Sequence, residues 1–485
     1  MLTKRAFNVL FMVLAVACTL FAAAAGQGKI PITTSSDKAM QAYLKGRDLT
    51  EKLRATDSIA HFDEAIAADP NMAVAYLSRA QVQPTATAFF DDLKKAQALA
   101  PKASEGERIW INGVQAAVDG FPKKQTEDYE ALVAKYPNDE RAHNLLGGAY
   151  FAQQKWDLAA AQYQKAIAIN PDFTLPYNML GYSDRFMEKF DDSEKAFQKY
   201  IQLIPKDPNP YDSYGELLQK TGKFDQSIVQ YRKALDQDSH FLASRIGIAT
   251  DLNFKGDHAA ARTELQKLME LARNDGEQRA GYFAMAVSYA DEGDLTKALE
   301  SMQKSFDVAS ESKDAASMAG DLNVMGNILL EANQPEEAQA KYDQAYDVIA
   351  QSNLSQDVKT NAKQNHTADQ ALVAIQKKSM APAKAAADEY RKSLTGKNQF
   401  QTWLSHQIDG MIALEEKKYD AAIGQLQQAN LLDPYNLYRL GLAYQGKGDA
   451  AKAQEMFRKS ANFNGLNNLQ QSLVRAKAQK AITSA

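Results

Sequence analysis

Of 485 residues only one is cysteine, Cys18, and it lies in the apolar run at the N-terminus. The rest of the chain therefore has no disulfide and no thiol chemistry, and stability has to come from packing. A surplus of one charge is also lacking. Lys and Arg number 56 against 60 Asp and Glu, a formal net charge of -4, and no basic stripe runs through the sequence. That balance argues against nucleic acid as the main ligand. Beyond the N-terminal run that ends at Ala25, no apolar stretch is long enough to span a bilayer.

Motifs that carry chemistry are missing as well. Gly441 to Gly446-Lys447 has the spacing of a phosphate loop, but Gly448 replaces the required Ser or Thr and no strand precedes it. The histidines, His61, His143, His240, His258, His366 and His406, are scattered without metal-ligand spacing. Acidic pairs such as Asp91-Asp92, Asp191-Asp192 and Glu415-Glu416 read as solvated helix faces or turns rather than as acid-base pairs. The triplets Asn353-Leu354-Ser355 and Asn365-His366-Thr367 fit glycosylation sequons, a pattern that often arises by chance. The expectation is a protein that is not an enzyme and has no catalytic, metal or cofactor site.

What the chain does contain is a ladder of small residues: Gly46, Ala80, Gly113, Gly147, Gly181, Gly215, Ala249, Ala286, Gly326, Ala371, Gly410 and Gly441. From Gly113 to Ala249 the rungs recur with a strict period of 34. A fixed period of this length marks a solenoid of helical pairs, not three separate globular domains. Between Glu140 and Pro171 the unit is clearest: His143, Leu146, Gly147 and Tyr150, then Ala159, Tyr163, Ala166 and Pro171. Small residues let two helices cross closely, aromatics fill the space left open, and proline closes the second helix.

This pattern resembles the tetratricopeptide repeat family. It recurs as Tyr177, Leu180, Gly181, Phe197 and Pro205, as Tyr211, Tyr214, Gly215, Tyr231 and Ala234, and near the end as Gly410, Ala422, Leu426, Ala429 and Pro434 followed by Leu440, Gly441, Tyr444, Ala453 and Phe457. The match is strong over residues 106 to 240 and 403 to 460. Asp184 departs from it, occupying an aromatic slot, and Pro84 breaks a short repeat over 70 to 101. The resemblance implies an all-α fold, an α-solenoid of about twelve helix-turn-helix repeats in a right-handed superhelix, with each repeat touching only its neighbours.

Past Ala249 the rungs widen to intervals of 37, 40, 45 and 39, predicting longer helices or looser joints. The chain divides into an array over 37–310 and a continuous second array over 315–482, with a hinge near 312 to 318 or 351 to 363. Leu466 to Ile482 reads as a solitary amphipathic helix capping the last repeat, its cations Arg475, Lys477 and Lys480 toward its C-terminal end.

Lys4 and Arg5 before the apolar run Ala6 to Ala25, with Ala23-Ala24-Ala25 ahead of Gly26, predict a signal peptide over 1–25 and an exported, periplasmic or secreted protein. Two alternatives are an uncleaved anchor, and a lipid anchor on Cys18, since Ala15-Val16-Ala17-Cys18 loosely resembles a bacterial lipoprotein box. The second would make the chain a membrane-tethered component of envelope assembly or secretion machinery.

The remaining candidate surface is the concave groove. Helical periodicity projects Arg141 and Asn144, then Asn178, Tyr182 and Arg185, then Asp212, toward it, and Asn144, Asn178 and Asp212 follow the same period. Asn offers a donor and an acceptor to an extended peptide backbone, and Arg can grip a carboxylate through two bonds. The function expected is a scaffold for a protein or peptide partner, gripped by solvent-facing side chains. Some members of the family clamp the carboxylate of chaperone tails with a Lys and Asn set, which is not reproduced here at matching positions.

Overall fold

The computed structural model describes residues 28–394 and 398–484. The expected leader, with Lys4, Arg5, Cys18 and the cleavage site after Ala25, lies outside them. Among the described residues there are α-helices and one short 3-10 turn, Ala100–Lys102, and no strand.

The helices come as twelve antiparallel pairs, numbered here as repeats 1 to 12. Repeats 1 to 4 are Asp37–Glu51 with Ala55–Ala68, Ala73–Ala80 with Ala86–Leu99, Glu105–Val118 with Pro122–Lys135, and Glu140–Ala152 with Trp156–Ile169. Repeats 5 to 8 are Leu175–Phe186 with Phe190–Leu203, Asn209–Lys220 with Phe224–Gln237, Leu242–Phe254 with His258–Leu271, and Asp275–Glu292 with Leu295–Glu311. Repeats 9 to 12 are Ala315–Glu331 with Pro335–Gln351, Gln356–Gln376 with Met380–Ser393, Gln399–Glu415 with Tyr419–Leu426, and Pro434–Lys447 with Ala450–Ala461. A last helix, Leu469–Ser484, follows.

Local chemistry sets these boundaries. Asp139 caps repeat 4 by accepting from the backbone N–H groups of Arg141 and Ala142, and Ser104 with Glu107 forms a capping box on repeat 3. Between the two helices of a repeat the chain reverses through one residue in the left-handed region: Gly120, Gln154, Glu188, Gly222 and Gly256 recur there at the period of the rungs. The short first helix of repeat 2, Ala73–Ala80, is followed by the Pro84 break and has no such residue.

The rungs lie at the helix crossings. A Cβ on Gly46, Gly147, Gly181 or Gly215 would stand 2.7, 2.6, 2.6 or 2.8 Å from the ring of Phe62, Tyr163, Phe197 or Tyr231. Those rings are fully buried, so the glycine is what admits them. His143 occupies its aromatic slot as a packed residue, its ring nitrogens 2.8 Å from Gln162 Oε1 and 3.0 Å from Pro137 O. Gly441 faces Phe457 within a helix, so the phosphate-loop spacing falls on helix instead of loop.

The wide rungs are met by longer helices: 18 residues over Asp275–Glu292, 17 over Ala315–Glu331 and 21 over Gln356–Gln376, against 12 to 14 in repeats 3 to 7. At the joint near residue 314, Asp314 caps the next helix and also accepts from the backbone N–H of Ala86 in repeat 2, at 2.7 Å.

That last contact corrects the expectation that each repeat touches only its neighbours. The superhelix is wound tightly enough for successive turns to meet. Arg54 of repeat 1 pairs with Asp238 at 3.0 Å and Arg273 with Asp57 at 2.9 Å, while Thr56 donates to Glu277 at 3.0 Å. The final helix is likewise more than an end cap. Leu469 and Leu473 pack with Ala286, Val287 and Ala290 of repeat 8, and Arg475 reaches Asp291 and the backbone of repeat 7. Arg475 and Lys477 answer carboxylates of other repeats, Lys477 pairing with Glu331, and no cation lies in the helix's last turn.

Candidate functional site

The inner face is built from the first helices of the repeats, and the six residues expected there are more enclosed than the expectation of solvent-facing side chains allowed. Arg141 holds Glu51 of repeat 1 through two bonds, 2.7 and 3.0 Å, with its guanidinium 4.9 Å over the Phe173 ring. Arg185 pairs with Glu216 at 3.1 Å and lies over the rings of Tyr182 and Phe186. Tyr182 donates to Glu216 at 2.8 Å. Asp212 and Asn178 are buried, Asn178 fully. Tyr182 and Glu216, one period apart, meet at equivalent positions of successive repeats, while Arg141 meets repeat 1 across the winding.

The three positions of the ladder are in different electrostatic states. Asp212 accepts from Ser244 at 2.6 Å, and burial together with the neighbouring Glu216 carboxylate pushes it well above the usual carboxylate range. Asn178 has no hydrogen-bond partner for either of its amide atoms, and the buried carbonyl oxygen of Asn144 has none. Such groups are uncommon inside a folded protein. Asn144 lines a cavity of about 300 Å³ with Gln81, Tyr129 and Gly148.

A larger cavity, about 600 Å³, opens where the turn of repeat 1 meets repeats 6 to 8. Tyr182, Asp212 and Glu216 form one wall, and Arg54 and Arg273 belong to the ion pairs across it, with Asp238 and Asp57. Ser244 was missed in the sequence as a site residue, whereas Glu216, one full period after Tyr182, falls at a groove-facing position by the same helical periodicity. Lys220, whose pKa burial pulls down to about 8, donates to the backbone carbonyl of Phe463 at 2.6 Å. Among the described residues no three His, Cys, Asp or Glu side chains are grouped to hold a metal ion. One solvated pair is also corrected: Asp92 is buried, held by Arg79 at 2.6 Å.

The fold and this inner face define an α-solenoid. A family profile described as TPR repeat matches residues 147–183, and one described as Tetratricopeptide repeat matches residues 435–464. With twelve helical pairs among the described residues, the chain is an α-solenoid that contains tetratricopeptide repeats, a fold that suggests protein-protein interaction. No curated protein matches it. Among solved structures it is similar to a tetratricopeptide repeat protein from Parabacteroides merdae, at 15% identity over 53% of this chain and 96% of that one, TM-score 0.37. A thermophilic TPR protein of Thermus thermophilus is similar at 16% identity over 35% and 92%, TM-score 0.31. YrrB, described as a TPR protein with an unusual peptide-binding site, is similar at 17% identity over 38% and 93%, TM-score 0.26. No helix of the described residues is long and apolar enough to cross a membrane.

Proposed function

We propose that this protein is a non-enzymatic scaffold that binds a protein or peptide partner in the cell envelope, using the inner face around Arg141, Asn144, Asn178, Tyr182, Arg185 and Asp212. The observation that carries the reading is the unpaired buried carbonyl oxygen of Asn144, which lines a cavity, beside the unpaired amide atoms of Asn178. A buried polar group without a partner costs about 1–3 kcal/mol. An extended peptide supplies both the donors and the acceptors that these side chains lack.

The envelope assignment rests on the leader pattern of Lys4, Arg5 and Ala23-Ala24-Ala25. The two arrays, 37–310 and 315–482, act in this reading as one continuous interaction surface. Crosslinking and pull-down from the native envelope, with mass spectrometry of the mature N-terminus, tests it. The expected result is a chain beginning near Gly26 and a recovered partner that competes with modification of the inner face. Retention of Met1 on a cytoplasmic protein would overturn the compartment, and a partner contacting only the outer helices would overturn the site.

A further inference from the structure

Ahead of repeat 1 the chain does not trail into solvent. Residues 28 to 34 run without helix across the ends of the first helices of repeats 2 to 4, held as a bound peptide would be. The backbone N–H of Ile30 donates to Asp139 Oδ2 at 2.8 Å and that of Thr33 to Glu107 Oε1 at 3.0 Å. Thr33 Oγ1 adds a bond to Glu107 Oε2, 2.5 Å, and Ser104 Oγ donates to the carbonyl of Pro31 at 2.7 Å. Lys29 pairs with Glu140.

The side chains of this strap alternate as those of an extended peptide do. Ile30 and Ile32 pack inward, Ile30 beside Tyr136 and Ile32 against the core of repeat 1. The slot for Ile30 is shaped for it, because a Cβ on Gly106 would stand 2.8 Å from Ile30 Cγ2.

The strap nevertheless fits its trough incompletely. Beside Ile30 and Ile32 remains a void of about 210 Å³, reaching Tyr43, Trp110, Arg141 and Leu145 on the first helices of repeats 1, 3 and 4. Trp110 lines that void, and its buried indole N–H has no acceptor. An occupant that leaves a donor unpaired and space unfilled is held less firmly than one that satisfies both.

We propose that this trough is a binding site for an extended peptide with aliphatic residues at alternate positions followed by Thr, preceded by a basic residue, and that residues 28–34 are its resident occupant, displaced when a partner presents such a segment. The inference rests on the reading of the protein as a peptide-binding scaffold and names the partner's chemistry. Most of the grip is on backbone groups and on the hydroxyls of Thr33 and Thr34, the latter donating to Asp69, so the aliphatic spacing sets register more than identity.

The test uses the full chain and a fluorescent synthetic peptide with the sequence of residues 28–35, GKIPITTS, read by anisotropy. In the variant Ile30→Asp with Ile32→Asp the strap leaves the trough, and the peptide should bind at least tenfold tighter than it binds wild type. Adding Gly106→Val closes the Ile30 slot and should abolish that gain. Equal weak binding by wild type and a folded released variant would overturn the proposal. Should the released variant fail to fold, hydrogen exchange on wild type decides: the Ile30 and Thr33 amides should exchange through local opening, faster than those of Ile111 and Val114. Exchange only with global unfolding would make the strap a structural staple. If the peptide fails here while a pulled-down partner still depends on Asn144 and Asn178, this inference falls and the scaffold reading stands.

Discussion

Gly147 and Tyr163 are fitted to one another across the two helices of repeat 4, with room at Gly147 for a hydrogen and nothing larger. The same offset between rung and facing residue holds along the chain, and the size of one member tracks the other. Where the facing residue is aromatic, as at Phe62, Phe197, Tyr231 or Phe457, the rung is glycine. Where it is Ala96, Leu265, Met302 or Ala387, the rung is alanine. Gly410 departs from this by facing Leu426, whose Cγ would stand 2.6 Å from an added Cβ.

This complementarity predicts a coupling. Gly147→Ala or Gly147→Leu should overpack the crossing and cost roughly 1–3 kcal/mol. Gly147→Ala combined with Tyr163→Leu reproduces the native pair Ala249 and Leu265 and should cost less than the sum of the two single changes. Urea unfolding of wild type, Gly147→Ala, Tyr163→Leu and the double variant measures it, and additive losses would show that the two residues do not share the crossing.

The turns make a second prediction. Glu188 sits at φ 59° where the equivalent positions one repeat on and two repeats before are Gly222 and Gly120. A residue with a Cβ is disfavoured there by roughly 1–2 kcal/mol. Glu188→Gly should therefore raise Tm and Gly222→Ala should lower it. A lower Tm for Glu188→Gly would mean that its side chain stabilises the turn by more than the backbone costs.

Most of the fold was legible because it is local. The rung, the ring it faces and the turn residue are all set within one repeat, so the period alone suffices to find them. The contacts between superhelical turns were not legible. Whether Arg54 reaches Asp238 depends on small rotations accumulated from repeat 1 to repeat 6, and no single repeat encodes their sum. For the same reason Asn178 and Asp212 were placed on the first helices of their repeats but expected in solvent, whereas both are buried. The strap was missed because Lys29 to Thr34 has no helical period and contains Pro31, features that read as a linker.

A third prediction concerns pH. Asp251 is fully buried, and that burial pushes its pKa up to about 8 against the pull of Lys255. Its unfolded value is about 3.9. Between these values the folded chain holds a proton that the unfolded chain has released, so this group's contribution is present at low pH and lost as pH rises toward 8. Asp251→Asn should remove that loss, on the order of a few kcal/mol at about 1.4 per pKa unit. Relative to wild type, the variant should gain Tm progressively from pH 5 to pH 8, and a pH-independent difference would contradict the assignment.

The final helix supplies a fourth. Leu473 is packed among residues of repeats 8 and 9, Ala286, Met325 and Ile328 included, so Leu473→Ala should cost about 2–5 kcal/mol. An end cap on repeat 12 alone would loosen only that repeat. Hydrogen exchange should instead speed up in repeat 8 as well, and unchanged protection over residues 284–290 would show that the helix does not brace the earlier turn.

The central claim, that the inner face grips a partner, is tested most directly by titrating a partner recovered from the envelope against wild type and the Asn144→Ala, Asn178→Ala double variant, with Tm measured in parallel. Because the free protein carries the Asn144 carbonyl oxygen and both Asn178 amide atoms buried and unpaired, removing them should leave Tm equal or higher while weakening the partner at least tenfold. Wild-type affinity in the double variant would contradict the account and move the interaction surface off this face.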